Sequence, residues 1–282
     1  MIRTALVAGI FVAGACTTVL AQPNPGYGDE VYQPSMGQSG KDVVWVPTPE
    51  ALVIRMLTAA KVTKDDLVYD LGAGEGRIPI AAAKQFGARA VGIEYNADMA
   101  DLARRNTRRA GVEDKVNIIT GDIFQEDFSR ATVVTMYLLP ELNLRLRPII
   151  LKMKPGTRVT SHAFHMGDWD PDERFSVETR DAFLWYVPAQ VEGSWHFREE
   201  GSGPWEATAT FVQRHQRIGG TLTLGGKTQP LLSPALQGDQ LTFTFIDGDN
   251  SMRTARVTVA DRRFEGELSL HGRSTHVVGT RR

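Results

Sequence analysis

The chain has 282 residues, of which 42% are hydrophobic and 23% are charged, and its formal net charge is −1. These values are ordinary for a globular protein and leave room for one or two domains. The near-neutral charge argues against a strongly basic surface for nucleic acid, so no nucleic-acid partner is predicted.

Residues 1–21 have the pattern of an export signal. Arg3 provides the positive charge, Ala5–Ala15 is an apolar segment too short to span a bilayer comfortably, and Val19-Leu20-Ala21 resembles a signal-peptidase site. We therefore expect cleavage after Ala21 and an exported protein that is periplasmic or associated with the envelope. An uncleaved anchor and a lipoprotein modified at Cys16 are the alternatives. Because Cys16 is the only cysteine, cleavage would exclude disulfides and thiol chemistry from the mature chain.

Residues 22–41 are rich in Pro, Gly, Ser and Gln and lack apolar periodicity, which predicts a flexible linker or a loosely packed arm. From residue 42 to residue 188, predicted helices and strands alternate and end in a closing pair of strands. Such alternation predicts an α/β domain with a parallel sheet and helices on both faces. The predicted helices are 50–60, 77–86, 97–109 and 141–153, and the predicted strands are 67–71, 90–93, 116–119, 132–139, 158–163, 174–178 and 182–187.

Residues 189–282 follow a different pattern, in which short runs of β-forming residues are separated by Gly-Gly and Asp-Gly turns. This pattern predicts a small antiparallel β domain behind the first one. Its predicted strands are 194–197, 208–215, 221–224, 241–246, 255–259 and 263–270.

The most informative motif is Asp70-Leu71-Gly72-Ala73-Gly74-Glu75-Gly76-Arg77, which links a predicted strand directly to a predicted helix. Glycines at such a turn let a ligand lie against the main chain, and the helix N-terminus offers free N–H groups. A dinucleotide-binding fold would carry Gly-x-Gly-x-x-Gly. Here the third glycine, Gly76, comes one residue early, and an acidic residue, Asp70, ends the strand. A purely structural turn is the alternative.

Glu94 ends the second predicted strand, about half a βαβ unit beyond the glycine motif. A carboxylate at this position accepts both hydroxyl groups of a ribose. A solvated acidic residue at a strand end is the alternative. Its occurrence together with the glycine motif favours binding of a nucleoside.

An acidic strand end followed by Gly-x-Gly-x-Gly resembles the first motif of the class I methyltransferases, and the resemblance covers residues 42–187. Three segments make the resemblance more specific. They resemble the protein-lysine methyltransferases that modify mitochondrial membrane proteins such as the ATP synthase c-subunit, and they resemble the exported bacterial relatives of that family still more. Those segments are Val46-Pro47-Thr48-Pro49, Asp70–Ile78 and Tyr137-Leu138-Leu139-Pro140-Glu141-Leu142. The resemblance implies a Rossmann-like sheet, S-adenosyl-L-methionine as cofactor and a lysine side chain of a protein as acceptor. The export signal and the β domain depart from the family pattern, so the identity of the methyl acceptor does not follow from the resemblance.

The family also implies roles for individual residues. The glycine motif would lie under the methionine and ribose of the cofactor, Asp122 would reach the adenine amino group beside Ile123, and Tyr95 would pack on the adenine. An ordinary turn aspartate and an ordinary surface aromatic are the alternatives for Asp122 and Tyr95. The implied cofactor-binding residues are Asp70, Gly72, Ala73, Gly74, Gly76, Glu94, Tyr95, Asp122 and Ile123.

Two residues at the end of the fourth predicted strand are candidate catalytic residues, because ligands bind at this edge of open α/β sheets. Tyr137 would orient the acceptor amine or shield the methyl group, and Glu141 would accept a proton. The alternatives are a core aromatic for Tyr137 and a charge favoured by the helix N-terminus for Glu141. The spacing of His162, His165 and Asp168 does not converge on one face, so no metal site is predicted.

The predicted function is therefore that of an S-adenosylmethionine-dependent methyltransferase acting on a protein, with a membrane-associated substrate as one possibility. Two alternatives stay open. One is a non-catalytic exported binding module built on the same fold. The other is an NAD-type oxidoreductase, which the early third glycine disfavours. No oligomeric state is predicted.

Overall fold

The structure, a computed structural model, describes residues 29–41, 44–200 and 206–282. The predicted signal peptide, with Cys16 and the cleavage site after Ala21, lies outside these residues, as do residues 22–28 of the predicted linker. Within the described ranges, no helix is both long and apolar enough to cross a bilayer.

The first domain alternates helices and strands, as predicted. Its helices are α1 (Glu50–Ala59), α2 (Arg77–Phe86), α3 (Ala97–Ala110) and α4 (Pro140–Ile150). Its strands are β1 (Leu67–Leu71), β2 (Arg89–Glu94), β3 (Val116–Thr120), β4 (Val133–Met136), β5 (Arg158–His162), β6 (Glu173–Val177) and β7 (Arg180–Tyr186). The strand order is β3-β2-β1-β4-β5-β7-β6. The first five strands are parallel, whereas β7 is antiparallel to β5 and to β6.

Two apolar cores cover the two faces of this sheet. Along β1, Val68 packs into the core formed with α1, α2 and α3, whereas Tyr69 and Leu71 pack into the core formed with α4. This division follows from the alternation of side chains along a strand. The predicted α/β class, with helices on both faces of the sheet, is thereby confirmed.

One predicted element ends early. The strand predicted over 132–139 stops at Met136, because Met136 is the last residue to pair with both neighbours, Leu71 of β1 and Ser161 of β5. Beyond that point the chain leaves the sheet, and Pro140 begins α4 at a position that suits proline. Tyr137 and the following two residues therefore form a connection at the edge of the sheet.

The second domain is a nine-stranded sheet in which every pairing is antiparallel. Its strands are β8 (Gly193–Glu200), β9 (Glu206–Arg214), β10 (Arg217–Leu224), β11 (Lys227–Pro230), β12 (Leu232–Gln237), β13 (Gln240–Ile246), β14 (Met252–Ala260), β15 (Arg263–Leu270) and β16 (Arg273–Arg281). The order is β11-β10-β9-β8-β16-β15-β14-β13-β12. The predicted antiparallel β domain is confirmed, but β11, β12 and β16 were not among the predicted strands.

This second sheet curls until its two edges meet. The edge strands β11 and β12 are consecutive in the chain and are separated only by Leu231, whose N–H donates to the carbonyl of Gly220 at 3.0 Å. At the same seam, the Gln229 side chain accepts from the N–H of Ile246 at 2.8 Å and donates to its carbonyl at 2.6 Å. Fully buried aromatic rings fill the inside of the curl, namely Trp195, Phe197, Phe211, Phe243, Phe245 and Phe264.

The two sheets are joined by a short connection between Tyr186 and Gly193, in which the predicted boundary at 188/189 falls. The domains also touch elsewhere. The Asp168 carboxylate, in the loop after β5, accepts from Arg147 of α4 and, at 2.7 Å, from Arg214 of β9. The loop that follows β5 is thus tied to both domains.

The described part of the predicted linker packs against the first domain. Asp29 forms ion pairs with Arg105 and Arg109 of α3. Trp45 is paired with residues 37 and 38, since the N–H of Gly37 donates to the carbonyl of Trp45 at 2.8 Å and the N–H of Trp45 donates to the carbonyl of Gln38 at 2.9 Å. These contacts pack the described residues 29–41 against the first domain, which fits a packed arm rather than a free tether.

Candidate functional site

A cavity of about 320 Å³ opens at the carboxyl ends of the central strands of the first sheet. Chain connections diverge between β1 and β4, which is where ligands bind in open α/β sheets. The volume falls within the range of roughly 300–1,000 Å³ typical of small-molecule sites. Of the predicted cofactor residues, those that line it are Asp70, Gly72, Ala73, Gly74, Glu94, Tyr95, Asp122 and Ile123.

The glycine-rich loop has a backbone that favours glycine at three positions. Gly72, Gly74 and Gly76 have φ values of 82°, 54° and 85°, in the left-handed region. A Cβ on Gly74 would lie 2.9 Å from Nε1 of Trp45, so there is no room for a side chain. Gly76 lies outside the cavity lining. It precedes α2, and a Cβ there would meet Ala103 of α3 at 3.1 Å. The absence of a side chain on Gly76 lets α2 pack closely against α3.

The Glu94 carboxylate is held at the cavity by two backbone groups. Its Oε2 accepts from the N–H of Gly74 and its Oε1 from the N–H of Asn96, both at 2.9 Å. Burial raises the pKa of Glu94, and the backbone hydrogen bonds oppose this rise. Both oxygens keep lone pairs, so the carboxylate is suited to accept a pair of neighbouring hydroxyl groups.

Asp70 and Glu75 add two buried carboxyl groups to the same cavity, each 3% exposed. The pKa of Asp70 is raised to about 8, chiefly by burial and also by the nearby Glu75 and Glu94, against the lowering effect of the Thr135 hydroxyl, which donates at 2.6 Å. Three carboxyl groups gathered at one cavity, two of which raise the pKa of the third, favour a cation. They disfavour the pyrophosphate of a dinucleotide, which argues against the NAD-type alternative.

Asp122 and Tyr95 lie at a more open part of the cavity. Asp122 accepts from the N–H of Phe124 at 2.9 Å and from Lys41 Nζ at 2.7 Å, and the hydrogen bond from Lys41 lowers its pKa. Tyr95 is 54% exposed, with Lys41 Nζ 4.4 Å from its ring centre. Ile123 lines the cavity beside Asp122. The three predicted adenine-side residues therefore lie together.

Sequence reasoning missed the contribution of the N-terminal segment. Lys41, Trp45 and Thr48 line the cavity, and Trp45 Nε1 donates to Glu75 Oε2 at 3.2 Å. The available signal was an aromatic and apolar cluster, Trp45-Val46-Pro47, at the end of an otherwise polar segment.

The other side of the cavity is mainly apolar and aromatic. Tyr137 lines it together with Leu139 and Phe164, and the Tyr137 ring lies 3.8 Å from that of His162 between centres. His162 is buried, and its Nδ1 lies 3.1 Å from the hydroxyl oxygen of Thr48. Burial, followed by the charge of Arg180, lowers the pKa of His162 to about 4, so its ring is neutral at pH 7.

Glu141 lies outside the cavity lining, contrary to its predicted catalytic role. It is exposed on the first turn of α4, whereas the next residue, Leu142, lines the cavity. Consecutive helical residues lie on different faces, so only one of the two can face the cavity. The interpretation as a charge at a helix N-terminus fits this position.

The residues present fit S-adenosyl-L-methionine. The glycine loop leaves a cradle that side chains would fill, Glu94 offers an acceptor for a ribose, and the acidic groups suit a sulfonium cation. Asp70, Gly72, Ala73, Gly74 and Glu94 would hold its methionyl and ribose parts.

Comparisons with known proteins agree with this assignment. The family model described as "ANTKMT methyltransferase domain" matches residues 70–173. A protein-lysine N-methyltransferase of Saccharolobus islandicus is 50% identical over 138 residues, which cover 48% of this chain and 86% of that protein. A lysine N-methyltransferase of the ATP synthase c-subunit, from Xenopus laevis, is 30% identical over 46% of this chain, but the match spans only 58% of the Xenopus protein.

A solved structure gives a similar match. It is described as an RNA methyltransferase from Salinibacter ruber in complex with S-adenosyl-L-homocysteine, and it is 49% identical with a TM-score of 0.51. The match covers 52% of this chain and 96% of the Salinibacter chain. The two relatives that this chain matches at about half identity thus carry different acceptors in their names, one protein and one RNA.

Proposed function

The chain belongs to the family of class I methyltransferases that includes the protein-lysine N-methyltransferases, and from this premise we propose that it methylates the lysine side chain of a protein. The observation that carries the proposal is the 50% identity over 86% of the Saccharolobus islandicus enzyme. The net charge of −1 argues against a strongly basic surface for nucleic acid, and this supports a protein over an RNA acceptor.

The residues on the cofactor side of the cavity would position the bound cofactor. S-adenosyl-L-methionine, when bound, supplies a methyl group on a positively charged sulfur. Glu94 and the glycine loop fix the ribose, and Asp122 fixes the adenine, so that the reacting end has one orientation. Positioning of this kind can supply about 7–11 kcal/mol of a barrier, and it requires no dedicated catalytic triad.

The apolar side of the cavity would receive the acceptor. A lysine amine must be neutral to attack, and desolvation among Tyr137, Leu139 and Phe164 lowers the pKa of an entering ammonium group. The hydroxyl of Tyr137 would then orient the amine. The close contact of the Tyr137 ring with the neutral His162 ring supports this role, because it limits the movement of the tyrosine.

We also propose a membrane-associated protein as the substrate. Val44, Val46 and Leu139 line the cavity and are 55%, 37% and 39% exposed. Apolar side chains exposed together at a cavity mouth favour an apolar partner. An acceptor lysine flanked by an apolar segment would bury them, and the name of the Xenopus relative, which acts on the c-subunit of ATP synthase, points the same way.

Export of the chain, with cleavage after Ala21, is a further part of the proposal. The charged start, the apolar segment and the small residues of 1–21 support it. Intact-mass measurement of the protein from the envelope fraction of a bacterial host should give a chain that begins at Gln22. A full-length mass, or recovery from the cytosol alone, would contradict it.

The acceptor is tested by incubating the protein with S-adenosyl-L-methionine labelled in its methyl group and a fractionated envelope extract. We expect label that protease removes, that ribonuclease leaves in place, and that acid hydrolysis releases as methyl-lysine. Label sensitive to ribonuclease would instead establish an RNA acceptor. The Gly74→Val variant, whose cofactor cradle is filled, serves as the matched control for contaminating enzymes.

A further inference from the structure

The N-terminal segment, residues 37–41 and 44–48, forms a wall of the cofactor cavity through Trp45. The Trp45 indole lines the cavity, and its Nε1 lies 2.9 Å from where a Cβ on Gly74 would be. Gly74 donates its N–H to Glu94 at the same time. Trp45 therefore packs directly on the glycine whose backbone holds the ribose carboxylate.

Polar contacts fix the indole in this place. Its N–H donates to Oε2 of the buried Glu75 at 3.2 Å, and the other oxygen, Oε1, accepts from Arg77 Nε at 3.0 Å. Arg77 also donates through Nη1 to the carbonyl of Thr48 at 3.0 Å. The segment from residue 45 to residue 48 is thus tied to the glycine loop at both of its ends.

The same segment is anchored at the adenine side. Lys41 bonds Asp122 and lies over the ring of Tyr95. The wall therefore extends along the cavity from the adenine-side residues to the glycine loop, with Trp45 at the loop.

We propose that Trp45 is a cofactor-binding residue: its ring contacts the bound cofactor at Gly74, and its N–H holds Glu75 in place. An indole is the side chain that best attracts a cation, and it lies among the acidic groups that already favour one. Trp45 precedes the region that the family model matches, 70–173, so that match assigns it no role. The inference rests on the cofactor assignment and is independent of the acceptor.

The test measures binding of S-adenosyl-L-homocysteine and S-adenosyl-L-methionine by calorimetry. Trp45→Ala should raise the Kd for S-adenosyl-L-methionine about tenfold or more, equivalent to about 1.4 kcal/mol. Trp45→Phe keeps a ring but loses the N–H donor, and it should have a smaller effect. Val31→Ala is the matched control, because Val31 lies in the same N-terminal part of the chain, is 78% exposed and does not line the cavity.

A second readout reports the contact directly. Among the described tryptophans, Trp169, Trp185 and Trp195 are fully buried elsewhere, and Trp45 alone lines the cavity. Ligand addition should therefore change the tryptophan fluorescence of the wild type. Trp45→Phe should remove that change. If Trp45→Ala does not fold, the Trp45→Phe variant decides the test. Wild-type affinity in both folded variants, or an unchanged fluorescence response in Trp45→Phe, would overturn the inference. Failure of the wild type to bind either ligand would instead overturn the cofactor assignment.

Discussion

The two sides of the cavity are built differently. On the cofactor side, carboxylates are held by backbone N–H groups or by a buried hydroxyl, as for Glu94 and Asp70. On the acceptor side, Tyr137 is held by a tilted ring contact with His162, and nearby Leu139 is partly exposed. A rigid, polar half that recognises one small molecule thus faces a half made of apolar surface, which suits a larger and more variable partner.

A side chain at Gly74 should abolish cofactor binding. In Gly74→Val, a β-branched side chain would be placed at a φ of 54° and within 2.9 Å of Trp45. We expect no detectable binding of S-adenosyl-L-homocysteine by calorimetry, with circular dichroism showing that the fold is retained. Binding near the wild-type affinity would show that the ligand does not lie against this loop.

Removing the ribose acceptor should have the next largest effect. Glu94→Ala deletes the group that two backbone amides hold in place, and hydrogen bonds to charged groups are worth about 1.5–3 kcal/mol each, so affinity should fall about 100-fold. Glu94→Gln, which keeps the shape but loses the charge, should lie between this variant and the wild type. Equal affinities in all three proteins would refute the assignment of Glu94.

Tyr137→Phe sharpens the comparison, because it should affect only the acceptor side. Loss of the orienting hydroxyl should lower kcat about tenfold while the Kd for S-adenosyl-L-homocysteine stays unchanged. Glu141→Gln is the control, since Glu141 lies outside the cavity lining and should leave both values unaltered. A drop in kcat for Glu141→Gln and not for Tyr137→Phe would reverse the two roles.

The smallest effects should appear in the pH dependence of stability, with opposite signs on the two sides. The pKa of Asp70 is raised from 3.8 to about 8, so its contribution to the free energy of unfolding is present below about pH 4 and is lost as the pH rises toward 8. The pKa of His162 is lowered from 6.5 to about 4, so its contribution is present above about pH 6.5 and is lost as the pH falls toward 4.

Thermal unfolding of the wild type, Asp70→Asn and His162→Gln between pH 4 and pH 8 measures these contributions. Each variant should flatten the Tm profile in its own window, and each 1 kcal/mol of lost pH dependence corresponds to about 2–4 °C in a domain of this size. Tm profiles parallel to that of the wild type would show that neither group contributes to the pH dependence of stability.

Sequence reasoning could reach some residues of the cofactor side but not others. Asp70, Gly74 and Glu94 lie at or just beyond strand ends within short motifs, so local pattern was enough to predict that they share one cavity. Trp45 reaches Glu75 across 30 residues, and Lys41 reaches Asp122 across 81. No local pattern indicates such contacts, and a polar composition pointed to a linker instead.

The second domain shows a similar limit. The strands β11 and β16 were missed because Lys227-Thr228-Gln229-Pro230 has no apolar residue apart from its proline and the first four residues of β16 are exposed. Their strand character comes from pairing with β10 and β15, not from their own alternation. The predicted strand 132–139 extended three residues beyond the observed end of β4 for a related reason. Its apolar run continues past the point where the pairing with the partner strands ends.

The seam of the curled sheet has a consequence for self-association. The backbone of an edge strand is a template on which other chains can add, and proteins must block it to stay dispersed. Here the amide of Gln229 takes the place of a neighbouring strand for Ile246, bonding both its N–H and its carbonyl. One side chain thereby closes that stretch of edge to incoming strands, and it helps to protect this domain from aggregation.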